Sequence, residues 1–122
     1  MRRARGIDAA MPDCIFCKIA SGEIPTKKLA ENEHAVAFPD LNPQAPFHAL
    51  VIPKAHVPSV NEAHTPEMMG HLYAMVADLA RTQGFDKTGY RTVINTGPHA
   101  QQTVFHLHIH VIAQRQMSWP PG

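Results

Sequence analysis

At 122 residues, 44% of them apolar and 17% charged, the chain suits one domain with one hydrophobic core, which excludes a two-domain architecture and a disordered polyelectrolyte. Eleven Lys and Arg against ten Asp and Glu leave a formal net charge of +1, so the charge gives no case for a nucleic acid or an acidic membrane as partner. Nine histidines are several times ordinary usage and, titrating near pH 6.5, mark where chemistry is to be sought.

The opening stretch MRRARGIDAAM is positive but has no apolar core of about 7 to 15 residues behind it, so it is not expected to act as a secretory signal. Residues 1–12 are expected to be a disordered tail, with Met11 as an alternative start, and 13–122 a single domain. No run reaches the roughly 18 apolar residues of a membrane span. Cys14 and Cys17 are too few for a disulfide scaffold, which points to the cytoplasm, with the pair free, redox-active or metal-bound.

Ile15, Phe16 and Ile19 stand at helical spacing and Ser21-Gly22 closes the run, which predicts a short helix. Residues 28–30 and 35–38 read as strands joined by a turn at 31–34, and 47–52 as a third strand stopped by Pro53. Thr65-Pro66-Glu67 begins a long helix with an N-cap hydroxyl, a proline at the first helical position and a carboxylate near the positive end of the dipole. Met68, Leu72, Met75 and Leu79 form its core face, the methionines as packing, with Arg81 in the last turn and Gly84 as the stop. Residues 90–95 and 104–113 complete the set as strands. The order α-β-β-β-α-β-β is an α+β pattern with a mostly antiparallel sheet.

In 104–112 apolar residues alternate strictly with His106, His108 and His110. An extended strand would place the three imidazoles on one face, about 6.6 Å apart in succession, close enough to serve one phosphate or metal. Two chemistries fit. Neighbouring histidines bind zinc and activate water, or one neutral imidazole attacks phosphorus while the others hold its oxygens. Gln102 and Thr103 offer neutral donors to a phosphate, and no Asp or Glu in this segment orients a zinc-bound imidazole, which favours the second.

His106-Leu107-His108-Ile109-His110-Val111-Ile112 resembles the signature of the histidine triad (HIT) family. The likeness extends over residues 13–122 through Cys14-Ile15-Phe16-Cys17, Asp40-Leu41-Asn42-Pro43-Gln44-Ala45-Pro46, His48-Ala49-Leu50-Val51-Ile52-Pro53 and the ending Trp119-Pro120-Pro121-Gly122. That ending is similar to the Hint branch, the purine nucleoside phosphoramidases. The resemblance implies that His108 is the nucleophile, that His110 and Thr103 hold the α-phosphate, and that His48 belongs to a relay fixing the tautomer of His108. It implies a nucleoside site of Ile15, Phe16, Ile19, Phe38 and Leu41 around the base, Asp40 on the ribose and Asn95 near phosphate or sugar. The bland readings are ordinary core for the apolar residues, a turn cap for Asp40 and a turn at Asn95 and Gly97.

Gln101 departs from the glycine usual in the family at that position, so a side chain narrows the phosphate site or alters its backbone donors. Cys14, Cys17, His56 and His106 read either as a structural Cys₂His₂ zinc site, as in some bacterial relatives, or as free thiols beside histidines. Other Hint-like proteins lack the cysteines, so no cofactor is expected to be required for catalysis. The resemblance further implies two helices on a five-stranded antiparallel sheet and a homodimer with a continuous ten-stranded sheet, in which Trp119 reaches the partner's site. The implied reaction is P–N hydrolysis of a purine nucleoside 5′-phosphoramidate, an AMP-amine or AMP-lysine, through a nucleotidyl-histidine, with His110 as the candidate acid. Competing readings are a nucleotide-binding regulatory protein with incidental hydrolysis and a dinucleoside polyphosphate hydrolase or nucleotidyl transferase.

Overall fold

The computed structural model describes residues 11, 13–63 and 65–122. The expected tail thus lies outside the described residues except at Met11. Two helices, α1 (Ile15–Ser21) and α2 (Pro66–Gln83), accompany five strands: β1 (Ala30–Glu31), β2 (Ala35–Pro39), β3 (Phe47–Pro53), β4 (Tyr90–Val93) and β5 (Ile109–Ala113). The strands form one antiparallel sheet in the order β1-β2-β3-β5-β4, the expected α+β architecture.

The sheet is covered on both faces, and the pleat decides which residue meets which helix. Ala35, Ala37, Val51, Ile109, Val111 and Ala113 pack with Leu72, Met75, Val76 and Leu79 of α2. Val36, Phe38, Leu50 and Ile52 pack with Phe16 and Ile19 of α1. β2 and β3, buried on both faces, therefore read as apolar runs rather than alternating ones. Complete burial of Leu72 alone contributes about 2 kcal/mol. His48 and His110 occupy even positions with Leu50 and Ile52, which puts them on the α1 face.

α1 ends at Gly22 in the left-handed region, φ 85°, where its N–H reaches the Ile19 carbonyl. α2 begins after Thr65 with Pro66 as its first residue, but the Thr65 hydroxyl makes no capping bond. Met68 is half-buried but packs against the core as expected, and Val76 and Ala80 add to that face. The β1–β2 turn is held by Asn32 Oδ1, which accepts from the N–H groups of His34 (2.8 Å) and Ala35 (2.9 Å). The rings of His34 and His71 stack 3.6 Å apart, joining that turn to α2.

The largest departure from expectation is β5, which starts at Ile109 rather than at residue 104. Continuing the β3–β5 register beyond Val51↔Ile109 would set residue 108 against Ile52 and residue 107 against Pro53. Pro53 has no N–H to give, and its carbonyl accepts a hydrogen bond from His106 Nε2 at 2.8 Å. Leu107 N–H turns instead to the Val57 carbonyl, 2.6 Å away. β4 ends at Val93, whose partner is His110, two residues before the expected end, and β1 is shifted by two residues and shorter than expected.

Candidate active site

The bend before β5 sends the three histidines to different tasks. His106, fully buried, turns away from the other two toward Cys14, Cys17 and His56, its ring centroid 5.0 Å from that of His56. His108 and His110 remain neighbours, with ring centroids 5.1 Å apart at 66°. The expectation of three imidazoles on one face serving one group is corrected to two.

Hydrogen bonds fix the protons on both rings. His108 Nδ1 lies 2.7 Å from the His106 carbonyl, which can only accept, so Nδ1 carries the proton and Nε2 keeps its lone pair. Gln44 N–H donates to His48 Nδ1 at 2.9 Å, so the proton of neutral His48 is on Nε2, where it meets His110 Nδ1 at 2.9 Å. His110 then accepts at Nδ1 and bears its own proton on Nε2. Adjacent rings thus offer opposite functions at Nε2, a lone pair on His108 and a donor on His110. His48 therefore orients His110, whereas the tautomer of His108 is set by the carbonyl of His106.

Asp40 is the member of this network that sequence reasoning assigned elsewhere. Its Oδ1 accepts from Asn42 N–H at 2.8 Å, the turn-capping role, while Oδ2 lies 3.4 Å from His48 Nε2 and 3.7 Å from His110 Nδ1. Burial lowers the pKa of His48, with Arg115 adding to the effect and Asp40 opposing it. Burial, followed by His108 and His48, pushes His110 down to about 4, against the pull of Asp40. Both rings are neutral at neutral pH.

That depression couples stability to acid. As pH falls below about 6.5 the unfolded chain takes up the proton first, so the contribution of neutral His110 is complete above 6.5 and is lost progressively down to about 4. His48 acts in the same direction. The denaturant midpoint should fall as pH is lowered from neutral to 4, less steeply in a His110→Gln variant; equal slopes in the two proteins would contradict it.

The second cluster has the chemistry of a metal site. One ligand atom from each of Cys14, Cys17, His56 and His106 lies within 4.8 Å of the others. The separations of Cys14 Sγ and Cys17 Sγ from His106 Nδ1 are 3.2 and 3.6 Å, and Cys17 Sγ is 3.4 Å from His56 Nδ1. Zinc bonds of about 2.0 Å to nitrogen and 2.3 Å to sulfur in a tetrahedron need ligand atoms roughly 3.3–3.8 Å apart, so the set fits zinc. The carbonyl of Pro53 accepts from His106 Nε2–H and so turns Nδ1 inward as a ligand. Backbone N–H groups of Met11 and Cys17 approach Cys17 Sγ and Cys14 Sγ at 3.3 Å, as suits thiolates. Asp40, His48 and His110 also bring three ligand atoms together, but the proton that Gln44 N–H forces onto His48 Nε2 stands where a metal bond would form. Geometry therefore divides the molecule into a metal-binding set and a proton-bearing set.

The remaining candidates are spread more widely than expected. Phe16 packs edge-on against His108 (5.2 Å, 86°), His106 and Phe38, walling His108, and with Ile19 and Phe38 it is buried core. Ile15 is half exposed and Leu41 is 97% exposed, so neither joins that cluster. Thr103 is exposed and, with Ile15, Val104 and Phe105, lines an open cleft of about 400 Å³. Asn95 is half-buried just beyond β4. Gln102 does not present free donors to a phosphate: its amide nitrogen donates to the carbonyls of Pro58 (2.8 Å) and Val104 (3.2 Å), and its oxygen accepts from Gly97 N–H (3.0 Å). It pins the loop. Gln101 has φ 60°, the left-handed region that glycine adopts freely and other residues enter at a cost of about 1 kcal/mol or more. Its exposed side chain follows from that backbone. Trp119 is 79% exposed; the Arg91 guanidinium lies 5.6 Å from its ring centroid and Arg91 Nη2 donates to the Ser118 carbonyl at 2.7 Å.

Comparison with known proteins places this geometry. The HIT domain profile matches residues 21–117. The chain is 43% identical over 113 residues to the 14 kDa zinc-binding protein of Zea mays, covering 88% of this chain and 87% of that protein. A HIT family hydrolase from Legionella pneumophila Philadelphia 1 superposes with a TM-score of 0.87 at 41% identity, over 90% of this chain and all of that one. A zinc-bound histidine triad family protein from Mycobacterium smegmatis gives 0.75 at 36% identity, over 84% and 76% of the respective chains.

Proposed function

The chain belongs to the HIT domain family, and from that membership together with the opposed tautomers of His108 and His110 we propose that it is a Hint-type hydrolase of purine nucleoside 5′-phosphoramidates. The observation that carries the reading is the His108 Nδ1–H bond to the His106 carbonyl, which keeps a lone pair on Nε2 beside a His110 that donates at Nε2. Nε2 of His108 attacks phosphorus, the P–N bond breaks, and the amine leaves with the electron pair and a proton taken from solvent, while neutral His110 donates a hydrogen bond from Nε2 to the phosphate rather than giving up its only proton. Water then cleaves the nucleotidyl-His108 bond, giving the nucleoside monophosphate and releasing a proton to solvent. Thr103 and His110 hold the phosphate oxygens, Asn95 and Asp40 serve the sugar side, and Ile15, Phe16, Ile19, Phe38 and Leu41 make the base slot.

Cys14, Cys17, His56 and His106 would hold a zinc ion, which supplies a structural cross-link from α1 to the segment that leads into β5. The same reading makes the protein a cytoplasmic homodimer. Among the described residues β4 has a neighbour on one side only, and pairing that edge with a second copy would give a ten-stranded sheet. Trp119, resting on Arg91 of β4, would then lie at the junction. No described helix is long and apolar enough to cross a membrane.

The test compares AMP release from adenosine 5′-phosphoramidate with cleavage of a diadenosine polyphosphate by the purified protein. Faster P–N cleavage supports the reading. Preference for the P–O–P bond makes it a dinucleoside polyphosphate hydrolase, and AMP binding without release from either makes it a nucleotide-binding regulator.

A further inference from the structure

We propose that Arg115 is a positioning residue for this reaction, bracing from outside the loop whose backbone N–H fixes the His48–His110 proton relay. The proposal rests on the hydrolase reading above, but the contacts do not. Phe47 pairs with Ala113, so the residues following Ala113 run beside those preceding Phe47. Gln114 has φ 71°, a turn conformation that ends the strand, and Arg115 Nε then donates to the Gln44 carbonyl at 3.0 Å.

Gln44 N–H is the donor to His48 Nδ1. A single residue thus receives a guanidinium on its carbonyl side and holds the relay on its amide side. The loop's own bonds, Asn42 N–H to Asp40 Oδ1 and Gln44 Nε2 to the Asn42 carbonyl, tie its members to one another. Arg115 ties them to the segment that follows β5. If Gln44 N–H moves off His48 Nδ1, the His48 proton is free to occupy either nitrogen. His110 Nδ1 then loses its obligatory donor, and the proton on His110 Nε2 is no longer specified.

The groups facing His48 are Asp40 beyond the end of β2, His110 of β5 with His108 behind it, and Arg115 from the C-terminal segment. Arg115 favours the neutral imidazole by charge repulsion, so removing it both loosens the loop and leaves Asp40 less opposed.

The experiment compares wild type with Arg115→Met and Arg115→Lys, with folding checked by circular dichroism. Steady-state kinetics on adenosine 5′-phosphoramidate are measured alongside ¹⁵N NMR of the histidine tautomers in the free protein. Wild type should show His48 protonated on Nε2. Arg115→Met should lower kcat about tenfold or more with KM within about twofold, as expected for a misplaced catalytic group. It should also mix the His48 tautomers and raise that residue's titration midpoint. Arg115→Lys, which keeps charge and a donor, should recover most of both. An Arg115→Met protein with wild-type His48 tautomer and titration overturns the proposal whatever its turnover. Absence of phosphoramidate cleavage in wild type overturns the hydrolase reading, while the NMR readout still decides whether Arg115 sets the relay.

Discussion

Replacing His108 by alanine should lower AMP release from adenosine 5′-phosphoramidate by about 10⁴-fold or more while the protein stays folded. No other group in the described site combines a fixed lone pair with a position beside the Nε2–H of His110, so nothing present can take over the attack on phosphorus. Losses of this order are typical when a covalent nucleophile is removed, because the remaining groups still bind substrate but cannot divide the reaction into two steps. The structural cost is modest. His108 gives up one hydrogen bond to the His106 carbonyl and its edge contact with Phe16, on the order of 1 to 3 kcal/mol. Rates are to be compared at a temperature where circular dichroism shows both proteins folded. A variant that retains a tenth of the wild-type rate would sink the covalent mechanism.

The second large effect concerns metal. Removing bound zinc with a chelator, or replacing Cys14 and Cys17 together by serine, should lower Tm by about 10 °C or more. Structural zinc sites bind with apparent free energies of about 10–16 kcal/mol in small peptides. Even about 3 kcal/mol of linkage would move the midpoint of a domain this size by that much. Burial raises the Cys17 thiol above its usual value, so without metal Cys17 is a neutral thiol at neutral pH and cannot replace the cross-link. Turnover per folded molecule should stay within a few-fold, because what reaches His108 from His106 is the main-chain carbonyl. Calorimetry with and without chelator, alongside metal analysis of the purified protein, checks both parts. A protein that carries no zinc and melts unchanged would leave the cluster as thiols and imidazoles alone. Loss of turnover in still-folded, metal-stripped protein would place the metal in the chemistry.

Much of the frame could be read from residue order. Pro66, Glu67, Arg81 and Gly84 bound α2 because proline, dipole and left-handed backbone are local effects. Gly22 ends α1 for the same reason. What spacing could not reveal depended on partners distant in sequence. Alternation through 104–113 suggested an unbroken strand, but its neighbour would have been Pro53, and a residue without an N–H cannot extend a ladder. Asp40 looked like a turn cap or a sugar ligand. It also faces the relay because Pro39 pairs with Ala49 and Leu50 with His110, and that register is written nowhere in the local pattern. Gln102 looked like a phosphate donor because of where it stands in the chain; only the positions of Pro58, Val104 and Gly97 reveal that its amide is already engaged.

His106 contributes its ring to one cluster and its carbonyl to the other, and these two contributions answer to different evolutionary constraints. Every amino acid has a carbonyl, so the support given to His108 survives any exchange at 106 that preserves the bend before β5. The imidazole is held to its identity by Cys14, Cys17 and His56. In a lineage without the two cysteines the Pro53 carbonyl would still accept from that ring, so a histidine at 106 would keep a reason to stay after its metal role had gone.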